Sequence, residues 1–368
     1  MTTIGNVCAF TNGKAHEQNV VEYGEYIIVN SKFISSDGVV KKYSNKQICP
    51  LFKNDIVMVM SDVPNGKAMS KCFCIDKDNK YTLNQRICAL RTKQIPLYYM
   101  MQINRNDYFM KFDDGVKQTN LRKDDVLACP VYSTTIKEQT KIADFLSLID
   151  QRIEKQRRLV ESLKKYKRGV IFKLFSKNNP NNQSFSLREL LHEKNDRNSL
   201  GLRVCSVAVN KGIIDQIEHL GRCFAASDTS KYRRVTYGDV VYTKSPTGDF
   251  PYGIVKQSKI HSDVCVSPLY GVYKTLNYEV GNLIHAYFEL HQLANNYIRP
   301  LTQKGAKNTI NITTSHFLDD IIYFPSNDKN RKNISNFLDK LTRCISIHEE
   351  KLRQNEKLKK GLLQKMFI

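Results

Sequence analysis

The 368-residue sequence has no Pro-Pro dipeptide, no Gly-rich phosphate loop and no Gly-x-Ser-x-Gly turn. The first absence removes the Asn/Asp-Pro-Pro-aromatic loop by which amino-methyltransferases hold a flipped base. The second removes the backbone amide cradle used by P-loop and dinucleotide-binding enzymes, and the third the strained turn that presents a nucleophilic serine. Ten cysteines (Cys8, Cys49, Cys72, Cys74, Cys88, Cys129, Cys205, Cys223, Cys265 and Cys344) are scattered without a Cys-x-x-Cys pair. Cys72 and Cys74 alternate on an expected strand, and no second pair stands at zinc spacing, so no metal site is expected. The thiols read as reduced, mostly buried small hydrophobes of a cytoplasmic protein. No apolar run approaches the ~20 residues that span a bilayer, and Met1 is not followed by a signal peptide. The eight histidines are dispersed. The string Glu349, Glu350, Lys351 falls inside a helical pattern and reads as a solvated face, not part of a nuclease site. These absences together describe a chain that binds and does not catalyse.

Charge of one sign is abundant. The 57 Lys and Arg against 36 Asp and Glu give a net charge of +21 and a pI near 9.4. Such an excess favours a polyanion as partner.

A repeat organises the rest. KIADFLSLIDQRIEKQRRLVESLKKYKRGVIFKLF (141–175) and NISNFLDKLTRCISIHEEKLRQNEKLKKGLLQKMF (333–367) align at a constant offset of 192 over 35 residues, as in Phe145/Phe337, Gly169/Gly361 and Phe175/Phe367. Both copies carry one heptad register. The first seam runs Ile142, Leu146, Ile149, Ile153, Gln156, Val160, Leu163, Lys167, Val170, Leu174. The second runs Ile334, Leu338, Leu341, Ile345, His348, Leu352, Asn355, Lys359, Leu362, Met366. A stripe every 3.5 residues suits two long helices in a left-handed coiled coil, each the other's partner, with Gln156/His348 and Lys167/Lys359 as register-fixing interruptions. At ~1.5 Å per residue each helix is a rod of roughly 50 Å, long enough to act as a spacer. Gly169 and Gly361 each cost a helix ~1 kcal/mol against Ala, which points to close helix approach or a kink at that level. The basic runs Lys164, Lys165, Lys167, Arg168 and Lys357, Lys359, Lys360 either complement the helix dipole or form a platform for partner subunits or DNA.

The expected organisation is a first domain over 1–136, a central helix over 137–177, a second domain over 178–327 and a C-terminal helix over 328–368. The polar stretch SKNNPNNQSF (176–185) is the linker signal after the first helix, and PSND (325–328) the shorter break before the second. Both domains have short apolar runs such as EYIIVNSKFIS and DVVYTKS between turn residues, the composition of a mixed α/β or α+β fold. The repeat continues into them: DDVLACP (124–130) matches DDIIYFP (319–325), GVKQTNL (115–121) matches GAKNTINI (305–312), and FKNDIVMV (52–59) matches VTYGDVVYT (235–243). The frame is repeated while the remainder diverges, which is the arrangement needed to read two different things. A pseudo-two-fold internal repeat with two sites of one kind is the expectation.

In this order of parts the chain resembles the DNA-specificity (S) subunit of a type I restriction–modification system. EQTKIADFLSLID (138–150) is similar to the start of that family's central conserved helix. GVKQTNLRKDDVL and GAKNTINITTSHFLDDI resemble the segments that close each target-recognition domain. The resemblance covers the whole chain and implies that each domain reads one half of a bipartite target in double-stranded DNA, while an antiparallel coiled coil sets the gap. It further implies that two modification subunits carrying S-adenosylmethionine dock on the scaffold, that a restriction subunit (endonuclease and translocase) can join, and that this chain needs no cofactor or membrane. One departure is the short N-terminus, where an extra conserved region is missing or minimal.

Polar and basic residues in turns beside strands are the candidate DNA contacts. They are Lys14, Asn30, Ser31, Lys32, Asn65, Lys67 and Gln118 in the first domain, and Asn210, Lys211, Lys244, Ser245, Thr247, Lys304 and Lys307 in the second, with Arg233 and Arg234 placed to grip phosphate. Cations neutralise phosphates without reading sequence, and base edges are read by residues that differ between copies. Asn120 and Asn311 occupy one position in both copies and are expected to support the frame. Two other readings stand: a DNA-binding scaffold unconnected to modification, and a self-sufficient methyltransferase or nuclease with divergent motifs.

Overall fold

Both halves of the chain build a four-stranded antiparallel sheet around an aspartate that opens an apolar strand. The computed structural model describes residues 1–62, 68–105, 107–112, 119–222, 225, 227–304, 310–313 and 315–367. It divides into two compact units, Met1–Gln156 with Lys351–Ile368, and Arg157–Glu350.

In the first unit the strands β1 (Ala9–Asn12), β2 (Ile56–Val59), β3 (Cys72–Cys74) and β4 (Ile87–Arg91) lie in the order β1-β4-β2-β3. Helix α1 (Pro96–Arg105) follows β4. Alternate side chains go to opposite faces: Ile56, Met58, Cys88 and Leu90 join the core with Tyr98 and Tyr99 of α1. Val57, Val59, Ile87 and Ala89 pack with Phe33, Tyr81 and Leu83 beneath a second small sheet. Burial on both faces explains why β2 is buried at every position. The same burial pushes the thiols of Cys8, Cys88 and Cys129 up to about 12. Cys223 lies outside the described residues.

The second unit repeats the plan. Strands β5 (Leu191–Glu193), β6 (Val240–Thr243), β7 (Ile254–Gln257) and β8 (Gly271–Thr275) take the order β5-β8-β6-β7. Helices α3 (Tyr278–Glu289) and α4 (His291–Leu301) follow. Val240 and Tyr242 face the helices, and Val241 faces the opposite core with Val264, Val266 and Val272.

The backbone hydrogen bonds of the strand-opening turn are duplicated. Asp55 Oδ2 accepts the Phe52 amide at 2.9 Å, and Asp239 Oδ2 accepts the Thr236 amide at 2.8 Å. The preceding residue is left-handed in both, Asn54 at φ +73° and Gly238 at φ +89°, a conformation open mainly to Gly and Asn. Each turn pairs backbone amides and carbonyls with the next strand, Asn54 and Asp55 with Ile75, and Gly238 and Asp239 with Ser258. The side-chain partners differ: the Thr236 hydroxyl also donates to Asp239 at 2.8 Å, where Phe52 has nothing to offer, and the cations are unlike. Arg91 grips Asp55 through Nε at 2.7 Å and Nη2 at 2.8 Å, whereas Lys194 Nζ lies 2.7 Å from Asp239. The closing phrases also act alike. Pro130–Val131 pairs with Thr2–Thr3, and Ile321–Pro325 pairs with Asn182–Ser186, so each domain's end is stitched to its beginning.

The repeated sequences form α2 (Ile136–Leu174) and α5 (Asp328–Met366). Their equivalent residues close the two cores. In the first unit Ala143 and Leu146 near the start of α2 share a core with Phe367 beyond the end of α5, and Phe367 meets Tyr98 edge-on at 5.4 Å. In the second, Ile171 of α2 and Phe175 just past its end share a core with Leu338 near the start of α5, and Phe175 meets Tyr287 at 5.2 Å. Within each unit the helices therefore run antiparallel. Asp150 pairs with Lys359 at 2.5 Å in the first, and Lys164 with Glu349 at 2.5 Å in the second. Leu146, Ile153, Val160, Leu338, Leu341 and Ile345 are buried; Ile142, Ile149, Leu163, Ile334, Leu352 and Leu362 are half-buried, as are Gln156 and His348. Among the described residues no helix is long and apolar enough to cross a membrane.

Two features differ from what the sequence suggested. A Cβ added at Gly169 or Gly361 meets nothing within 4 Å, so neither glycine serves a close helix approach within this chain. Lys167 leaves the seam to bind Glu289 of α3 at 2.7 and 2.9 Å, so the two seam lysines have unlike partners.

Truncating either strand-opening aspartate removes its cation's closest carboxylate, leaving Lys194 only Asp196 at 4.0 Å and the Thr236 hydroxyl. Lys194 is 12% exposed and Arg91 54% exposed, so Asp239→Ala should cost about 3–5 kcal/mol and Asp55→Ala nearer ~1–3 kcal/mol. Chemical-denaturation midpoints of the two variants check the order. A second expectation concerns His285, whose Nδ1 accepts the Gln257 amide at 3.0 Å. Burial first, then Lys256, Lys259 and Lys167, hold its pKa well below the ordinary 6.5. Only the unfolded chain binds that proton readily, so stability falls as pH drops below 6.5, by at most ~1.4 kcal/mol per pH unit. His285→Gln should flatten the acid side of a melting-temperature profile between about pH 5 and 6.5.

Candidate nucleic-acid interface

The loops that follow the duplicated strands are the natural place for readout, since the frame holds their ends fixed. In the second unit β6 runs into the segment 244–253, KSPTGDFPYG. Ser245 and Thr247 are exposed at its tip, and a tight turn sets the tip: Thr247 and Phe250 exchange backbone hydrogen bonds at 3.1 and 2.9 Å. The matching loop of the first unit contains Asn65 and Lys67, which lie outside the described residues. So do Gln118 and Lys307, and for Lys304 and Asn311 the description stops at their place in short strands.

Lys244, at the base of the loop, is the most strongly placed cation. Burial first, and then the neighbouring Arg233, hold its pKa below the ordinary lysine value, while Glu193 pulls it up. Arg233 is 3.5 Å from Glu193 and donates to Asn195 Oδ1 at 2.9 Å. Arg197 stands directly opposite Arg233 in an antiparallel bridge and is exposed. Like charges placed opposite each other repel, so this group of three cations with one carboxylate gains from an anion. No sequence spacing links Arg197 to Arg233; only the fold does. Arg234 is committed differently, its guanidinium gripping Asp263 through Nε at 2.8 Å and through Nη2. Asn210 and Lys211 are exposed on the turn between Cys205–Ala208 and Gly212–Asp215.

In the first unit the candidates are more bound to the frame. Asn30 caps the short helix Ser31–Ser35, accepting the Phe33 amide at 2.9 Å. That contact fixes Ser31 and Lys32 in the first turn, with Lys32 exposed. Lys14 is exposed, while its backbone is held: its amide donates to the Leu83 carbonyl and its carbonyl accepts from the Gln85 amide. The structure thus brings Lys244, Arg233 and Arg197 together and leaves the remaining candidates on separate turns. Among the described residues no cluster of His, Cys, Asp and Glu is arranged to hold a metal ion.

Residues 1–164 match the family model described as the type I restriction modification DNA specificity domain. As a fold the chain is similar over its whole length to solved S subunits. One is the S subunit of a type I restriction–modification system from M. genitalium, at 14% identity and a TM-score of 0.65, covering 100% of this chain and 95% of that one. The first part of the chain thus carries a type I DNA specificity domain, and the whole chain has the fold of that S subunit. Another similar structure comes from a study of complex assembly and conformational transition of the type I R-M system, at 13% identity and a TM-score of 0.52, covering 99% and 96%. No curated protein matches the sequence. The matched domain is a DNA specificity domain, and the exposed loops and basic group above are the candidate contacts for such recognition.

Lys244→Ala is expected to weaken binding about equally on target and unrelated duplexes and to lower the salt slope of log affinity by about 0.9. Thr247→Ala should instead change discrimination at one base position, by ~1–3 kcal/mol. Salt-titrated fluorescence anisotropy on both duplexes separates the two; an unchanged slope for Lys244→Ala would remove it from the phosphate contacts.

Proposed function

We propose that this chain reads a bipartite DNA target, each domain recognising one half-site, with the paired helices fixing the gap between halves. Two modification subunits carrying S-adenosylmethionine dock on it and methylate the target it selects, and a restriction subunit joins the same assembly. The observation that carries this reading is the duplicated frame. The sheet order, the Asp55/Asp239 turn and the helix anchors are built twice, while the loops on the frame differ in sequence. Two equivalent mounts with unlike loops suit two unlike half-sites. Half-site centres about one helical turn apart, on the order of 34–36 Å, suit such a pseudo-dimer. The net charge of +21 supports phosphate neutralisation as the sequence-blind part of the affinity.

The test is a methylome of host cells with and without this chain, by direct single-molecule sequencing. The expected result is loss of methylation at one split motif, two short halves with a fixed gap. An unchanged methylome with the modification subunit expressed would leave a DNA-binding scaffold. A purified chain that binds S-adenosylmethionine alone, or cuts DNA with magnesium alone, would mean a self-sufficient enzyme.

A further inference from the structure

The loop after β6 presents a carboxylate that the chain itself does not use. Asp249 is exposed at the tip of segment 244–253. Among the described residues its side chain has no hydrogen bond or ion pair, and its backbone carbonyl alone is engaged. The cations at the foot of the loop do not claim it, since the carboxylate beside Lys244 and Arg233 is Glu193.

The backbone that carries Asp249 is firmly held. Gly248 and Asp249 are the central residues of the turn closed by Thr247 and Phe250. Gly248 supplies the positive φ, +52°, that suits the first central place of a two-residue hairpin turn. Phe250 is buried in the core and meets the His291 ring of α4 edge-on at 6.4 Å. Asn295, one turn further along α4, donates to the Asp249 carbonyl at 3.3 Å. Nearer the foot of the loop, the Tyr242 hydroxyl donates to the Tyr252 carbonyl at 2.8 Å. Gly253 lies so close to Thr243 that a Cβ would stand 2.0 Å from its carbonyl oxygen. The tip is therefore ordered before any ligand arrives, which lowers the entropy cost of a contact made there.

A carboxylate in this place works against sequence-blind binding, because it repels the phosphates that Lys244 and Arg233 attract. It gains only where a hydrogen-bond donor faces it, since an ionised carboxylate accepts and cannot donate. In the major groove guanine presents two acceptors, and thymine an acceptor and a methyl group. Adenine sets its N7 acceptor beside its donor, whereas cytosine presents the N4 donor with no acceptor beside it. We infer that Asp249 is a specificity-determining residue that selects a cytosine in the half-site read by the second domain, accepting from its exocyclic N4 amine. The inference rests on the proposed half-site reading and adds to it the base at one position. On any other base the repulsion stays uncompensated, so one side chain both favours the right duplex and disfavours the wrong ones.

Asp249→Ala and Asp249→Asn test it in the full chain together with the modification subunit. The methylome of cells carrying the unaltered chain should show a split motif with a C·G pair in one half. With Asp249→Ala that pair should become degenerate, and with Asp249→Asn it should turn to A·T, because Asn pairs with adenine N6 and N7. The other half should not change. In fluorescence anisotropy Asp249→Ala should bind the target about tenfold or more weakly and an unrelated duplex about twofold or more tightly. Melting temperature should hold. An unchanged motif in both variants, or a motif without a C·G pair in either half, would overturn the assignment. Tighter binding to target and unrelated duplexes alike would overturn it too, leaving Asp249 a repulsive charge that reads nothing. Loss of the modification subunit from the variants in native mass spectrometry would overturn it in favour of a protein contact. An unaltered chain that yields no split motif would instead remove the half-site reading on which the inference rests.

Discussion

Each unit's core is closed by residues from both long helices, and the rest of the structure follows from that constraint. Leu146 and Phe367 complete one core; Leu338 and Phe175, their equivalents 192 residues away, complete the other. Fully burying a Leu or Phe side chain is worth about 1.5–3 kcal/mol, a large part of the marginal stability of a domain. A slip of either helix by one turn withdraws an anchor from each core it touches. Helix register is thereby coupled to domain folding, which a simple seam of leucines does not achieve.

The two junctions are similar in shape and different in chemistry, so the helices are not interchangeable. Ala143 enters an apolar core in the first unit. Its equivalent Ser335 is buried and accepts the Asn282 side chain at 2.8 Å. Beside it Asp339 takes Lys259 Nζ at 2.7 Å and the Tyr278 hydroxyl at 3.1 Å. Placing Ala143 in the polar junction would strand Asn282, and placing Ser335 in the apolar one would bury an unpaired hydroxyl. Lys167 and Lys359 separate in the same way, one to Glu289 and one to Asp150. Unpaired buried polar groups cost about 1–3 kcal/mol, enough to choose one pairing over the other.

The helices and the repeat are legible in the sequence because they are local: a heptad period and a constant offset need no knowledge of long-range contacts. The Asp-led strands are legible in the same way, since the turn from Phe52 to Asp55 and from Thr236 to Asp239 spans four residues. Sheet order is not, because β1 to β4 and β5 to β8 pair across long stretches of chain that carry no period. Asn30 reads as a polar turn residue open to DNA, yet its oxygen is engaged by the Phe33 amide; Asn favours caps and turns alike. Arg197 gives no signal in the sequence because its relation to Arg233 exists only through a bridge between distant segments. The paired glycines stand out by their helix cost, yet whether anything lies against them is a property of the folded surface.

Where the carboxylates go decides what the surface offers. Asp55, Asp239, Glu289, Asp150, Glu349, Asp339 and Asp263 are all engaged by cations of their own unit. These acidic residues hold turns, junctions and helix pairs. Basic residues outnumber acidic ones by 21, and among the described residues Lys32, Arg197 and Lys211 stand exposed on turns. A field of this kind draws any polyanion at a rate that falls with salt, so it supplies encounter and affinity without choice. Choice has to come from geometry: which loop tips stand on the two like frames, and how firmly Leu146, Phe367, Leu338 and Phe175 lock the helices to those frames.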